Sequence, residues 1–434
     1  GLSAAYYLQQ MGHQCTIFEQ RKQLGGMLRY GIPNYRLPRT KLDEDINAIL
    51  STGIEVKKNI SVGTDITLED INKEYDAIYI SIGAHADKKI GIDGEDAKIG
   101  VTSAVEMLRA IGDDEIPDYT GKKVVVIGGG MAGICAALAS ARHGARTALV
   151  HDRHVLGGNA SSEIRMHICG ASENLAKPEL EESGILHEIM LDNKSRNDYF
   201  NYSIWDMVLF TAVKSQPHLT VYLSTAMEDC RMEGNEIREI DAYQLTTETH
   251  WQIRGNIFID CTGNATLGYY AGAEYRTGSE GRAEFNEPDA PEQANNDRMG
   301  NTLLFKAVDR GHSVNFKRPK IARHFTEEEL KYRTHSAVHE AKTKGDVDKA
   351  YLRMTSYSTS SVDYGYWWIE LPGKTEDIID EYEEIRDELV SCIYGVWDHL
   401  KNGGDHGAEN YDLEWVGMLP GVRESTILSD DIVI

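Results

Sequence analysis

Three glycines with the spacing of a phosphate-binding turn stand in the first half of the chain. Gly128, Gly130 and Gly133 follow the apolar run from Val124 to Ile127, in the order strand, G-x-G-x-x-G, helix. In such a motif the first glycine permits the tight turn, the second lets the backbone approach a pyrophosphate, and the third lets the helix pack on the strand. The start of the helix also attracts phosphate electrostatically. The spacing predicts a dinucleotide site, and the alternative is a glycine-rich turn with a structural role only.

Two later signatures indicate which dinucleotide is bound. A glycine doublet, Gly157-Gly158, follows the second predicted strand, and a later strand ends in Asp260-Cys-Thr262-Gly263. This combination is typical of FAD-binding folds of the glutathione-reductase type, so it favours FAD over NAD. We therefore expect the doublet, Thr262 and Gly263 to contact the cofactor together with the glycines of the turn.

An acidic residue that binds the ribose is expected where the second strand ends. His151 occupies that position and Asp152 follows it. Either Asp152 takes the role through a one-residue shift or His151 holds the ribose, and we favour Asp152. Arg153, the next residue, joins the cofactor-binding candidates.

The segment after the doublet carries side chains that could act on a substrate, because a loop leaving the doublet would pass beside a flavin. Its polar candidates are Asn159, Ser161, Ser162, Glu163, Arg165, His167 and Cys169. If the segment is extended, Glu163, Arg165 and His167 share one side of it. Arg165 would stabilise the negative charge of a reduced flavin, and His167 would serve as an acid or base. The alternative is a salt-bridged structural loop.

Two further candidates lie elsewhere in the chain. Cys169 is either a redox-active thiol or, since no partner cysteine is near in sequence, an ordinary one. Arg423, in Pro420-Gly-Val-Arg-Glu-Ser, is expected either to pack toward the flavin or to lie on the surface.

The same signature occurs twice in the chain. Gly1-Leu-Ser-Ala-Ala and Leu24-Gly25-Gly26 return, at a constant offset of 132 residues, as Gly133-Ile-Cys-Ala-Ala and Leu156-Gly157-Gly158. By this repeat Gly1 is the last glycine of a phosphate turn, Glu19 is the ribose-binding acid, and Gly25 and Gly26 are the doublet. We expect a truncated first unit over residues 1–121 and a second unit, also truncated at its end, over 122–434.

Alternating strand and helix patterns predict an α/β fold with a doubly wound parallel sheet of the Rossmann-like, glutathione-reductase type, with an added mostly β substrate region. The predicted strands are 14–19, 75–83, 123–127, 146–151, four or five between 219 and 259, and 364–371. The predicted helices lie within 1–20 and over 41–51, 103–111, 131–143 and 376–399, and a surface loop is expected over 278–300.

Composition excludes several classes of function. A formal charge of −24 argues against nucleic-acid and anionic-membrane binding, and no apolar run approaches the roughly 18 residues of a membrane span. Neighbouring cysteines are at least 31 residues apart, which disfavours a self-contained zinc or iron–sulfur site and fits a reducing cytoplasm. His143, His151 and His154 do not form a convincing ligand set, so we assign no metal.

Residues 1–121 resemble the FAD-containing small subunit of glutamate synthase and its NAD(P)H-dependent relatives. The likeness rests on Phe18-Glu19, on Ser81-Ile-Gly-Ala84 and above all on the run from Leu24 to Pro38. It implies that Glu19, Gly25 and Gly26 bind FAD and that NAD(P)H is the electron donor. The doublet Gly157-Gly158 departs from that family's pattern and puts its NAD(P)H site in doubt here.

From Gly130 onward the chain resembles FAD-dependent oxidoreductases akin to the flavin-binding part of heterodisulfide reductase. The likeness rests on Met131-Ala-Gly-Ile-Cys-Ala-Ala, on the run from His151 to Met166, and on Asp260-Cys-Thr-Gly-Asn-Ala. It implies FAD and electron exchange with an iron–sulfur protein, the cluster lying in a partner or a missing segment. The chain is either a natural tandem flavoprotein or a recombined fragment.

Three hypotheses for function follow. The first is an FAD-dependent oxidoreductase that transfers hydride or electrons through bound FAD, with a small molecule as substrate and NAD(P)H or an iron–sulfur protein as the other redox partner. The second is an electron-input subunit like that of glutamate synthase, with NADPH bound at Gly128–Gly133. The third is a non-catalytic remnant whose sites bind nothing.

Overall fold

The computed structural model describes residues 1–34, 36–83, 103–113, 115, 118–168, 182–198, 201–296, 298–331, 366–371, 378–423 and 426–428. These residues form two compact units, Gly1–Asp118 and Tyr119–Asp430. The division falls close to the predicted boundary after residue 121, and the functional assignment of each unit stays a prediction. No helix in the described ranges is long and apolar enough to cross a membrane.

The first unit is a small α/β body built on two parallel strands. Its elements are α1 (Leu2–Gln10), β1 (Thr16–Glu19), α2 (Met27–Tyr30), α3 (Arg39–Leu50), β2 (Glu55–Lys58), α4 (Leu68–Glu74) and α5 (Ala104–Gly112). Strand β1 pairs with β2 in parallel, and Leu24, Leu42 and Ile46 form the buried centre. The predicted helices at 41–51 and 103–111 and the strand ending in Glu19 are confirmed.

The prediction of a buried strand over 75–83 is wrong. Residues 75–83 belong to no strand in the described part of the chain, and Tyr79, Ile80 and Ile82 expose 66–73 % of their surface. In the second unit the strand at the equivalent place, just before the turn at Gly263, pairs with the strand that precedes Gly128. No strand among the described residues of the first unit offers that edge, so apolar composition alone does not make the segment a strand.

The second unit contains the predicted parallel sheet. Its first elements are β3 (Lys123–Ile127), α6 (Met131–Arg142), β4 (Arg146–Val150), a single 3-10 turn (Gly158–Ala160), α7 (Ile185–Arg196), α8 (Tyr202–Lys214), β5 (Leu219–Tyr222), β6 (Thr225–Glu233), β7 (Glu236–Gln244), β8 (Thr249–Arg254) and β9 (Ile257–Asp260). The order in the parallel sheet is β5-β4-β3-β9. All five strands between 219 and 259 exist, but only β5 and β9 join this sheet.

Alternation along β3 packs a different layer on each face of the sheet. Val124 and Val126 face helices α6, α7 and α8, whereas Val125 and Ile127 face the antiparallel sheet β6-β7-β8. Helices α7 and α8 were not predicted, because their apolar residues are not confined to one stripe. The parallel strands therefore end together at one edge, between two packed layers.

A second core in this unit is formed by a helix lying on an antiparallel sheet. The remaining elements are α9 (Thr266–Tyr270), β10 (Tyr275–Thr277), α10 (Arg282–Phe285), β11 (Asn301–Asp309), α11 (Glu327–Leu330), β12 (Tyr366–Leu371), α12 (Tyr382–Asn402), β13 (Tyr411–Val416) and β14 (Thr426–Leu428). The sheet order is β12-β11-β13. Phe305 of β11 packs with Leu389, Ile393 and Trp397 of α12. Helix α12 and strand β12 confirm the predictions near 376–399 and 364–371, and only short elements interrupt the predicted loop.

The unpaired state of residues 75–83 predicts a difference in proteolysis between the two units. Chymotrypsin should cut after the exposed Tyr79 well before it cuts after Phe258, since Phe258 lies in the paired strand β9. Mass spectrometry of an early digest measures the order. Simultaneous cleavage, or earlier cleavage after Phe258, would show that residues 75–83 are paired.

Candidate functional site

The turn between β3 and α6 is closed by backbone contacts that leave no room for side chains. Gly128 has φ +99°, and a Cβ there would lie 2.1 Å from the Cys261 carbonyl oxygen. A Cβ on Gly133 would lie 1.8 Å from the Gly128 carbonyl oxygen. Both approaches are shorter than any real contact, so both positions require glycine. The turn, the start of α6 and the end of β9 are therefore packed backbone against backbone.

Gly130 stands in the same turn for a different reason. Its φ is −67°, which any residue adopts, and a Cβ on it would have no atom within 4 Å. No side chain caps the start of α6 at this residue. The unpaired N–H groups of the first helical turn and their partial positive charge therefore face an opening. A phosphate group fits this arrangement, and nothing in the fold itself explains the glycine.

The glycine doublet lies against this turn. The Gly157 N–H donates to the Gly129 carbonyl oxygen at 2.8 Å, and Gly157 bridges to Gly130. A Cβ on Gly158 would lie 3.1 Å from the Gly130 Cα. Both residues of the doublet have positive φ. The structure thus brings together Gly128, Gly130, Gly133 and the doublet, as the sequence predicted.

His151 is a structural part of this turn. Its Nδ1 accepts from the Gly129 N–H at 3.0 Å, and its Nε2 faces the Val155 carbonyl oxygen at 3.0 Å. A carbonyl only accepts, so the ring carries its proton on Nε2. Nδ1 then has no proton for the Asp152 carboxylate, which lies 3.2 Å away. Both ring nitrogens of the buried His151 are thus engaged, whereas the Asp152 side chain is 66 % exposed at the end of β4.

The Asp-x-Thr-Gly turn after β9 forms the other wall. The Asp260 carboxylate accepts from the Thr262 N–H and hydroxyl and from the Gly268 N–H. Thr262 in turn accepts from the Thr266 N–H at 2.8 Å. The Cys261 N–H donates to the Ile127 carbonyl oxygen at 2.7 Å, which places Thr262 and Gly263 beside the β3–α6 turn. Asp260 therefore organises the turn rather than binding a ligand.

Residues 161–165 form a turn, so the extended conformation on which a shared side depended is not present there. The Arg165 N–H donates to the Ser161 carbonyl oxygen at 2.8 Å, and Arg165 has φ +66°. Glu163 and Arg165 consequently do not share one side as they would on a strand. The Arg165 guanidinium stacks over the Trp415 ring at 4.1 Å and lies 5.6 Å from the Tyr202 ring.

Glu163 lies beside Arg153 in a half-buried setting. Glu163 Oε2 and Arg153 Nη1 are 4.0 Å apart, and both atoms are buried without a hydrogen-bond partner in the described part of the chain. Burial raises the pKa of the Glu163 carboxyl, and the charge of Arg153 only partly offsets this. Burial also raises the pKa of nearby Tyr382 to about 12. Glu163 and Arg153 thus form a loose, half-buried ion pair with hydrogen-bonding capacity left over at both atoms.

The remaining candidates of this unit are dispersed. Asn159 donates through Nδ2 to the Val422 carbonyl oxygen at 3.0 Å, which brings the chain near residue 422 to the doublet. Arg423, 42 % exposed, lies 3.7 Å from Glu370. His167 is half-buried, and Cys169 lies outside the described residues.

Several residues that shape this region were not predicted from the sequence. The Trp205 indole donates to the Ala160 carbonyl oxygen, the Tyr202 hydroxyl donates to the Arg165 carbonyl oxygen, and Asp206 accepts from the Ser162 N–H. All three belong to α8. The sequence signal that could have indicated their role was the Trp205-Asp206 pair within a mainly apolar helix. Helix α8 therefore fixes the path of the chain after the doublet.

The first unit carries the equivalent pieces in a separate body. Glu19 ends β1, and its carboxylate accepts from the Arg21 N–H at 2.9 Å. Gly25 and Gly26 have φ of +125° and +50°. Next to them Arg29 donates to the Leu24 carbonyl oxygen and pairs with Asp43. The doublet geometry of the second unit is thus repeated, as the sequence predicted.

Comparison with known proteins identifies the class. The model of the family described as FAD dependent oxidoreductase matches residues 123–429, and the chain belongs to this family. A second model, described as pyridine nucleotide-disulphide oxidoreductase, matches residues 1–175. The predictions of an FAD-dependent oxidoreductase and of FAD as its cofactor are thereby confirmed.

Curated relatives match a smaller part of the chain. The β subunit of the NADP(+)-dependent formate dehydrogenase of Moorella thermoacetica is 39% identical over 38% of this chain and 23% of that protein. The β subunit of the NADPH-Fe(3+) oxidoreductase of Geobacter sulfurreducens is 40% identical over 33% and 22%. The glutamate synthase [NADPH] small chain of Mycobacterium tuberculosis is 37% identical over 31% and 30%. The match thus spans less than a third of each relative's length.

The different roles of two glycines in one turn predict that the same substitution destabilises the protein at one position and not at the other. Gly133→Ala should lower the melting temperature of the cofactor-free protein by several degrees, since overpacking costs about 1–3 kcal/mol. Gly130→Ala should leave that temperature unchanged, because its Cβ meets nothing. Calorimetry measures both. Equal effects of the two variants would contradict the geometry of the turn.

The thiol next to this turn should react slowly. Burial raises the pKa of Cys261 to about 11, which lowers its thiolate fraction at pH 8 roughly 200-fold relative to a free thiol. Alkylation by iodoacetamide, followed by peptide mass spectrometry, should therefore keep accelerating between pH 9 and about pH 10. A plateau near pH 9 would show an ordinary thiol.

Proposed function

We propose that the second unit binds FAD at the edge where β3, β4 and β9 end, and that this site carries the oxidoreductase activity of the chain. The single observation that supports the proposal most strongly is Gly130, which has ordinary backbone angles and open space where its Cβ would be. FAD, when bound, supplies hydride or electron transfer at its flavin ring. The protein contributes binding, orientation and electrostatics.

The residues divide according to the parts of the cofactor. Gly128, Gly130 and Gly133 hold the pyrophosphate at the start of α6. Asp152 and Arg153 hold the ribose; His151 is unsuited, because both its ring nitrogens are engaged within the protein. The rest of the cofactor is held by Gly157, Gly158, Asn159, Thr262 and Gly263, which lie at the same edge.

Three side chains are proposed to take part in the chemistry. Arg165, held over the Trp415 ring, presents a fixed positive charge that stabilises an anionic reduced ring. Glu163 holds a proton on its half-buried carboxyl more readily than an exposed glutamate does, because burial raises its pKa. His167 serves as a second acid or base. These roles do not require that Glu163, Arg165 and His167 lie on the same side of the loop.

The redox partner is proposed from the relatives. Those reported above are named as subunits of NADP(+)- or NADPH-dependent enzymes. We assign NAD(P)H as the electron donor and an iron–sulfur electron-transfer protein as a partner, with a small molecule as the substrate. A reducing cytoplasm suits the described cysteines, all of which are free thiols.

A second candidate function is that of an NADPH-dependent electron-input subunit. The match of the pyridine nucleotide model to residues 1–175 favours it, because this range includes both doublets and the β3–α6 turn. In this alternative NADPH occupies Gly128–Gly133 and the flavin belongs to the first unit, with Glu19, Gly25 and Gly26. The third alternative is a non-catalytic chain whose sites bind nothing, which the unpaired segment over 75–83 favours for the first unit only.

Flavin content and nucleotide affinity together separate these functions. The purified chain should carry about one FAD, and Gly130→Val should abolish it without changing the melting temperature of the cofactor-free protein, because the added methyl groups occupy the phosphate opening. Extraction and absorption spectroscopy measure the flavin. Gly26→Val, a change in the doublet of the first unit, should leave the flavin content unchanged.

The reverse result identifies the second candidate. In that case Gly26→Val loses the flavin, whereas Gly130→Val keeps the flavin and loses its affinity for NADPH. This pattern would overturn the main proposal in favour of an electron-input subunit. Absence of flavin from the wild-type chain, even after incubation with FAD, would support the non-catalytic alternative.

A further inference from the structure

A cluster of three metal-ligating side chains lies on the second core of the second unit. Glu327, His399 and His406 place one ligand atom each within 4.8 Å of the others. His399 Nε2 lies 3.1 Å and His406 Nε2 3.7 Å from the same carboxylate oxygen, Glu327 Oε2. These residues belong to α11, to α12 and to the loop that follows α12. None of them is among the candidates for the flavin site.

The separations are those expected around one metal ion. In a tetrahedral zinc site, ligand atoms at about 2.0–2.2 Å from the metal lie roughly 3.3–3.5 Å from one another. The two measured separations, 3.1 and 3.7 Å, bracket this value. One ion beside Glu327 Oε2 could therefore contact all three side chains after small movements of the side chains.

The contact of His399 Nδ1 with a carbonyl oxygen directs Nε2 at the Glu327 carboxylate. Its Nδ1 faces the Phe325 carbonyl oxygen at 3.1 Å and must donate to it. If the ring is neutral, Nε2 then directs a lone pair at the Glu327 carboxylate, which also offers only lone pairs. Two such atoms at 3.1 Å repel unless a proton or a metal ion lies between them. A carbonyl behind the distal nitrogen is also the usual support of a metal-binding histidine.

The backbone around each ligand is fixed independently of the cluster. Glu327 begins α11 directly after Thr326, whose side chain and that of Glu329 form a capping box. Lys401 donates to the carbonyl oxygens of Ala408, Glu409 and Tyr411, which holds the loop that carries His406. Rigid supports of this kind preorganise a metal site.

We propose that Glu327, His399 and His406 bind a divalent transition-metal ion, with zinc as the preferred ion. Two imidazoles and one carboxylate form a ligand set that suits zinc and disfavours magnesium and calcium, which prefer oxygen ligands. His399 is 5 % exposed, whereas the Glu327 side chain is 67 % exposed, so the ion can enter from the glutamate side. A fourth coordination position is left for water.

Zinc binding to the tag-free chain tests the proposal. After treatment with a chelator, the protein should bind one zinc ion tightly in competition with a chromophoric chelator, and magnesium should not compete. Glu327→Gln should weaken zinc binding by about tenfold or more, and His406→Ala by about 100-fold. Glu328→Gln, the same change at the neighbouring exposed residue of α11, should have no effect.

Two controls keep the outcome decisive. Zinc should raise the melting temperature of the wild type and of Glu328→Gln but not of Glu327→Gln, a substitution at an exposed residue that leaves the fold intact. The flavin content should be the same in all variants, which separates this site from the proposed flavin site. Zinc affinity equal in the wild type and in Glu327→Gln would show that zinc binds elsewhere, and no stoichiometric binding at all would show that the cluster holds no metal ion; either result overturns the proposal.

Discussion

The structure of the second unit depends on one close packing of backbone, at the turn between β3 and α6. Gly128 approaches the carbonyl oxygen of Cys261, and Gly133 approaches that of Gly128, at distances that exclude a Cβ atom. Because the turn is packed so closely, the start of α6 and the end of β9 are fixed relative to β3. The N–H groups of α6 and the Thr262–Gly263 turn consequently lie at one edge of the sheet.

The surrounding contacts extend this constraint to the side chains. His151 accepts a hydrogen bond from the Gly129 N–H, and the Gly157 N–H donates to the Gly129 carbonyl oxygen. The turn and the doublet are thus held together by hydrogen bonds. A histidine therefore stands where a ribose-binding acid is common, and Asp152, one residue later, is left exposed. The departure of this chain from the usual pattern has a structural cause.

The glycine positions were predictable because each belongs to a short motif of fixed spacing, even where the atom that requires the glycine is distant, as Cys261 is from Gly128. The turn at 161–165 was not predictable, because contacts with α8 and with Trp415, which are distant in sequence, fix its conformation. The prediction of a strand over 75–83 was wrong because apolar composition suits a strand, but a strand also needs a neighbouring strand with which to pair. Likewise Glu327 lies 72 residues before His399, a separation that no motif describes.

The most direct test of the account locates FAD by hydrogen exchange. Hydrogen exchange should be measured by peptide mass spectrometry in the cofactor-free and in the FAD-loaded chain, and the two should be compared. The account predicts that FAD slows exchange at the start of α6, at 157–160 and at 262–264, and leaves the peptide that contains Gly25 and Gly26 unchanged. Protection confined to the first unit would contradict it.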